Sequence, residues 1–378
     1  MHMNSISPRR SLAERCLLLT GSLLIAACLG ACSSFSPSVG QGPDTPQRLS
    51  GVPGAKEVAS SVVQEDFMVA GADPGIQLYV RNKRLATLKR FNQDNVVLFV
   101  HGATYPAETG FDLRLDGISW MDVLALQGYD VYLVDVRGYG RSTRPPEMDQ
   151  PPLQNKPIVN SDVAARDYAA AADWIRKRRS IDKLVVMGHS WGTVITSVYA
   201  TRHSDKIHRL VLYAPVWLRN TPSLTDAGGA LGAYRQVTVE QARARKDAGL
   251  KGVKLQPDHW FEVWAAETFA SDPVGSRAEP KFVRAPNGVV EEGRNTWSKG
   301  IPVYDPLLIR VPTLLILGEW DADTPPYMAQ TLYPLLKNAN PKKLVILSEG
   351  SHSIMNEINR FSLFSEVSRF LDDGRAAR

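Results

Sequence analysis

Along most of this chain, short apolar runs rich in β-branched residues alternate with stretches of helical periodicity, and no other feature narrows the available folds as much. Ile76–Val80 and Val96–Val100 read as strands; the second is apolar at every position, which suits a sheet covered on both faces. Ser119 stands where its hydroxyl can accept a first-turn N–H of a helix over Trp120–Gln127. Val131–Val134 reads as the next strand, and Gly138-Tyr139-Gly140 breaks the chain after it. Ala164, Tyr168, Ala171 and Ile175 then recur at spacings of 4, 3 and 4, one face of a helix. Leu184–Met187, Leu210–Tyr213, Leu314–Leu317 and Leu344–Leu347 add short strands, while Trp191–Thr201, Tyr327–Lys337 and Phe361–Leu371 are helix-like. Strands separated by helices connect through right-handed crossovers. The expected class is therefore α/β, with a mostly parallel sheet and helices on both faces.

One stretch departs from the rhythm. Arg219–Lys299 has no strong strand pattern; it holds Gly228-Gly229, a charged helix around Val239–Asp247 and an aromatic helix over Trp260–Phe269. It reads as a mainly helical cap inserted between two sheet strands. The 378 residues would allow two or three domains at roughly 150 residues each, but a single α/β core with an insertion accounts for them. The expected division is a core over 58–217 and 301–378 with a cap over 218–300. Net charge is +5 with no long basic run, and the densest cluster, Arg176 to Arg179, ends a helical pattern where cations suit the dipole. A nucleic-acid partner is not expected.

The three cysteines, Cys16, Cys28 and Cys32, all lie near the N-terminus, which leaves no Cys-metal site, thiol nucleophile or disulfide beyond Cys32. Arg9, Arg10 and Arg15 precede an apolar run from Cys16 to Ala31, the layout of an export signal over 1–31. The run is short for a span of roughly 20 residues. Leu29-Gly30-Ala31-Cys32 resembles the lipobox of bacterial lipoproteins, which makes Cys32 the expected lipid-attachment residue; Ile25-Ala26-Ala27-Cys28 makes Cys28 the alternative. A Ser-, Pro- and Gly-rich tract follows and reads as a tether over 32–57. The expectation is an exported, lipid-anchored protein of the bacterial cell envelope.

The chemistry gathers at strand ends. Gly188-His189-Ser190-Trp191-Gly192 is a G-x-S-x-G pattern between an apolar strand and a helix start, the setting in which a sharp turn lifts a nucleophilic serine above the sheet. Ser190 then needs a base and the base an orienter. His2 lies in the export signal, His203 and His208 fall away from the C-terminal sheet edge, and His259 belongs to the insertion. His101 is better explained by an oxyanion loop, and His189 adjoins Ser190 and projects differently, so His352, just past the final strand, is the expected base. Glu319, Asp321 and Asp323 compete for the acid, and spacing alone does not choose; Asp321 is preferred. Backbone N–H donors for the developing oxyanion, worth on the order of 3 kcal/mol each, are expected from Trp191 and Ala103. No cofactor or metal is expected.

HGATY at 101–105, DVRGYGRS at 135–142, GHSWGT at 188–193, GEWDADTPP at 318–326 and GSH at 350–352 together make the chain resemble the α/β-hydrolase superfamily. The resemblance implies an eight-stranded core whose second strand is antiparallel, a lid inserted after strand six, and Asp321 as the acid of a Gly-x-x-Asp pattern. Dehalogenases and epoxide hydrolases of that superfamily carry Asp where this chain has Ser190, so acyl transfer is implied instead.

GHSWG and GEWD also resemble proline iminopeptidases, whose lids carry carboxylates that hold a free amine. This insertion offers Glu262, Glu267, Asp272 and Glu279, and an aromatic stripe of Trp260, Phe261, Trp264 and Phe269 that serves either lid packing or an acyl pocket. HGATY in place of the HGGPG of many iminopeptidases favours a carboxylic ester hydrolase acting on a small acyl ester over a peptidase. A non-catalytic binding scaffold is the reading from another class, and the retention of all three triad members speaks against it.

Overall fold

The computed structural model describes residues 61–373; the signal expected over 1–31, the tether over 32–57, and Cys28 and Cys32 lie outside the described residues. In chain order the strands are β1 (Val62–Ala70), β2 (Gln77–Leu85), β3 (Val96–Val100), β4 (Asp130–Val134), β5 (Leu184–His189) and β6 (Ile207–Tyr213). After them, β7 (Tyr234–Thr238) pairs with β8 (Phe282–Pro286) away from the main sheet, which β9 (Thr313–Gly318) and β10 (Lys342–Leu347) complete. The helices are α1 (Glu108–Phe111), α2 (Trp120–Leu126), α3 (Ser161–Arg179), α4 (Trp191–Arg202), α5 (Val239–Asp247), α6 (Asp258–Ala270), α7 (Gly288–Asn295), α8 (Pro326–Leu332) and α9 (Arg360–Asp372).

The main sheet has eight strands in the order β1-β2-β4-β3-β5-β6-β9-β10. Its second strand runs antiparallel to both neighbours, β1 and β4, and all other pairings are parallel. Strand alternation then splits the core in two. Leu98, Val100, Leu184 and Val186 pack with Ala164, Tyr168, Ala171 and Ile175 of α3 and with Val194 and Ile195 of α4. Val97, Phe99, Val185 and Met187 face the other way, onto Trp120 and Leu124 of α2 and Leu363 and Phe364 of α9. Both faces are covered, so the central strands are apolar throughout rather than alternating. At the start of α2, the Ser119 hydroxyl accepts from Asp122 N at 3.0 Å while the Asp122 carboxylate accepts from Ser119 N at 3.1 Å, a reciprocal cap.

Two expectations need correction. Strand β2 does not stop at Val80 but continues through Arg81, Asn82 and Lys83, all buried. Lys83 reaches Asp112 and Asp122 at 2.5 and 2.8 Å, Arg81 reaches Asp66 and Asp112 at 2.9 Å, and Asn82 bonds Asp130 at 2.9 Å. Buried charges of this kind persist because each is paired. Opposite β2, the unpredicted edge strand β1 holds Gln64, Glu65 and Asp66 in succession, which weakens its apolar signature.

The second correction concerns the insertion, which contains the antiparallel pair β7 and β8 as well as α5, α6 and α7. These strands escape an apolar pattern because Arg235 and Arg284 sit within them; Arg284 is nearly inaccessible and pairs with Asp272 at 3.1 Å. The inserted segment, called the cap below, is not wholly separate from the core. Ala285, Val289, Val290 and Trp297 join the same apolar cluster as α3 and α4, and Glu292 accepts from Ser161 N at 3.2 Å.

Candidate active site

The turn from β5 into α4 puts Ser190 at φ 55° and ψ −124°, a backbone conformation costly for a residue with a Cβ, by roughly 1–3 kcal/mol. The flanking glycines make the turn possible through close approach. A Cβ on Gly188 would lie 2.2 Å from the Gly192 carbonyl oxygen, and one on Gly192 would lie 2.6 Å from that of His101. The Ser190 amide donates to Tyr213 O at 2.9 Å, and its carbonyl accepts from Thr193 N at 2.8 Å. The strained turn is thereby held from both neighbouring elements, with Ser190 at the positive end of α4.

Asp321 and His352 come from the loops after β9 and β10. These loops are pressed together where a Cβ on Gly318 would stand 2.0 Å from Gly350 O. His352 Nδ1 lies 2.8 Å from Asp321 Oδ2 and 3.0 Å from Oδ1. Asp321 is buried and receives Thr324 N at 2.7 Å and Thr324 Oγ1 at 2.8 Å, so its oxygens are hydrogen-bonded by the protein where water does not reach. The His352 carbonyl accepts from Tyr213 Oη and from His189 Nε2, each at 3.1 Å, and Ser351 N donates to the buried Glu357 at 3.2 Å. Burial presses the His352 pKa down, but Asp321 and Asp323 outweigh it and hold the imidazole above its ordinary value. His189 has no such carboxylate contact; burial holds it well below the usual histidine range, so it is a neutral donor.

The loop after β3 is equally constrained. His101 Nδ1 donates to Gly102 O at 2.7 Å, and its Nε2 accepts Val136 N at 3.2 Å, which leaves this buried ring neutral. Burial lowers its pKa, in keeping with that state. Ala103 O accepts from Tyr139 Oη at 3.0 Å and from Arg235 Nη2 of the cap at 2.7 Å. Ala103 and Trp191 line a cavity together with Ser190.

Ser190, Ala103, Arg245 and Asp323 border two cavities that meet at the serine. One is lined also by His189, His352, Tyr105, Trp264, Lys246 and Met355, the other by Trp191, Val216, Arg219, Val290 and Trp297. Of the three carboxylates that compete in the sequence, Asp321 meets His352, Glu319 is exposed, and Asp323 is buried. Asp323 is neither solvated nor a helix cap, as an unused carboxylate would be; it pairs with Arg245 of α5 at 2.9 Å. Arg245 also donates to Thr104 Oγ1 at 2.9 Å and Thr225 Oγ1 at 3.1 Å.

In the cap, Glu262, Glu267, Asp272 and Glu279 are absent from the lining of both cavities. Asp272 instead binds Val274 N and Gly275 N, both at 2.9 Å, besides Arg284. Of the aromatic stripe, Trp264 faces the serine cavity, whereas Trp260 donates to Asp116 at 3.1 Å and Phe261 packs under Arg243. Arg245 and Lys246 were not legible as site residues, since a charged helix reads as a solvated face, and Arg235 sits in a strand that has no apolar pattern. The Thr324 role had a local signal, a hydroxyl three residues after an aspartate. Among the described residues no group of His, Asp and Glu is arranged to hold a metal ion.

By sequence, the chain is 24% identical to a proline iminopeptidase of Neisseria gonorrhoeae over 282 residues, 68% of this chain and 84% of that protein. By structure, it is similar to a membrane phospholipase A described as a bacterial virulence factor, with a TM-score of 0.57 and 19% identity over 85% of this chain and 93% of that one. A serine hydrolase of carbazole degradation gives a TM-score of 0.56 at 17% identity, covering 82% and 99% of the two chains. At these identities the structural likenesses speak to the fold alone. A family model described as alpha/beta hydrolase fold matches residues 95–357, from the strand before the His101 loop to just past His352. The chain belongs to the alpha/beta hydrolase fold family.

Proposed function

We propose that this protein is a serine hydrolase that cleaves carboxylic esters through an acyl-enzyme on Ser190. The observation that carries this reading is the strained Ser190 turn opening into the same cavity as His352, whose Nδ1 is 2.8 Å from Asp321. Asp321 holds the Nδ1 proton, which leaves Nε2 to take the proton of Ser190 Oγ as that oxygen attacks the ester carbonyl. The amides of Ala103 and Trp191 stabilise the oxyanion, and His352 passes its proton to the departing alkoxide. Water, deprotonated by His352 in turn, attacks the acyl-enzyme and releases the acid and free Ser190.

The relative named a proline iminopeptidase makes peptide cleavage the competing reading. A free-amine substrate would want carboxylates from the cap, yet the cap lends the Trp264 side of the site Arg245 and Lys246 and no acid, while Asp226, its acid on the adjoining side, is paired with Arg294 at 2.5 Å. That charge balance favours the ester. Labelling with a fluorophosphonate, compared with Ser190→Ala, tests the nucleophile: labelling that persists in the variant, or none in the wild type, overturns the mechanism. Turnover of phenyl acetate against prolyl anilide separates the two substrates.

The reading includes export and lipid anchoring through Cys32, with Cys28 the alternative, supported by the N-terminal sequence. Labelled palmitate incorporated by the wild type and lost in Cys32→Ser is the expected result. Retention in Cys32→Ser and loss in Cys28→Ser would move the site to Cys28.

A further inference from the structure

The cavity in front of Ser190 holds two cations, and they differ in how they are used. Arg245 is committed to Asp323, Thr104 and Thr225. Lys246, the next residue on α5, lines the same cavity and among the described residues has no hydrogen bond or ion pair. Its Nζ sits 4.2 Å from the centre of the Trp264 ring, a contact that orients an ammonium without neutralising it. Glu357, Asp247 and Asp323 act on it only through space, and Glu357 is engaged by Ser351.

Trp264 also meets Tyr105, ring edge to face, at 4.8 Å. The Tyr105 hydroxyl is buried and has no hydrogen-bond partner among the described residues, although its residue lines this cavity. Two donors without a protein acceptor among the described residues thus flank one tryptophan in the cavity of Ser190. A buried donor left unsatisfied, such as the Tyr105 hydroxyl, carries a desolvation cost that a ligand acceptor would recover. With Arg245 and Asp323 cancelling, Lys246 leaves the cavity one positive charge in excess.

We propose that Lys246 and Tyr105 receive a carboxylate of the substrate, so that the preferred esters carry one negative charge in the part that enters the Trp264 side of the site; this rests on the ester-hydrolase reading above. The anion would replace water around the ammonium in a site of low polarity, where a charge-assisted hydrogen bond is stronger than in solvent. Lys246 acts here as a specificity residue and takes no part in proton transfer.

Two matched ester pairs test this. Monophenyl adipate against phenyl hexanoate places the charge on the acyl side, and 4-acetoxybenzoate against phenyl acetate places it on the alcohol side. The wild type is expected to show a KM at least about tenfold lower for the anionic member of one pair, with kcat little different. In Lys246→Met that ratio falls to near one, and Lys246→Arg restores it. Tyr105→Phe lowers the ratio by a smaller factor. Absence of any anion preference in both pairs, or a preference that survives Lys246→Met, overturns the proposal. If no ester is turned over in a Ser190-dependent way, the hydrolase reading fails instead. The anion site is then read by calorimetric titration of Ser190→Ala with monophenyl adipate and phenyl hexanoate, where equal affinities overturn it.

Discussion

Asp323 and Arg245 form a buried ion pair 2.9 Å long that ties a cap helix to the loop carrying Asp321. The pair bears on the chemistry as well as on the cap. Asp323 raises the His352 pKa and Arg245 lowers it, while Asp321 and burial supply the other main influences.

The first prediction follows from that balance. In the proposed mechanism His352 works as a base only when neutral, so kcat/KM falls as pH drops through its pKa. Asp323→Asn removes a negative charge and leaves Arg245 unscreened, and both changes lower that pKa. The acid limb of the pH–kcat/KM profile should therefore move to lower pH, with His189 silent because it is already neutral. A limb that stays in place or moves upward would contradict the electrostatic assignment.

The second concerns the carboxylate behind the base. Asp321→Asn should lower kcat by on the order of 10³–10⁴-fold with KM little changed, since the amide fails to hold the Nδ1 proton in place. Thr324→Val removes the 2.8 Å bond from Thr324 Oγ1 to Asp321 but keeps the 2.7 Å bond from its backbone. A smaller loss, about tenfold, is expected, and steady-state kinetics on phenyl acetate would rank the two.

Gly188→Ala probes the close packing of the turn. Its new methyl would meet the Gly192 carbonyl oxygen at 2.2 Å, backbone that cannot step aside without moving Ser190. Overpacking of this kind should cost about 3 kcal/mol in urea unfolding. Ser190 labelling by a fluorophosphonate should slow in the folded fraction as well.

Far from the site, Lys83 is the common partner of Asp112 and Asp122, all three nearly inaccessible. Lys83→Met leaves two carboxylates facing each other without that cation, although Arg81 and Arg114 still reach one each. Loss of about 3–5 kcal/mol is expected from chemical denaturation. Replacing Lys83 together with both aspartates by apolar residues should recover part of it, because Arg81 keeps Asp66 and Glu108 and Arg114 is exposed, so no buried charge is left without a partner.

What the sequence by itself determined is what local patterns can encode. Runs such as Val96–Val100 and Leu184–Met187 are apolar at each position, so they had to be central strands. The glycines around Ser190 announced a backbone too crowded for side chains, and Ser190, three competing carboxylates at 319, 321 and 323, and His352 all fell at strand ends, while the structure brings Asp321 to His352. Periodicity could not reveal that Arg81, Asn82 and Lys83 continue β2 into the core, or that β7 and β8 are strands. A buried charge looks like a surface charge until its partner is known, and the partners lie far away: Lys83 meets Asp122 from 39 residues off, and Arg245 meets Asp323 from 78. For the same reason only the tertiary structure decided that Asp323 braces the cap, that Glu262, Glu267, Asp272 and Glu279 stay out of both cavities, and that Lys246 faces Ser190's cavity with no hydrogen-bond or ion-pair partner among the described residues.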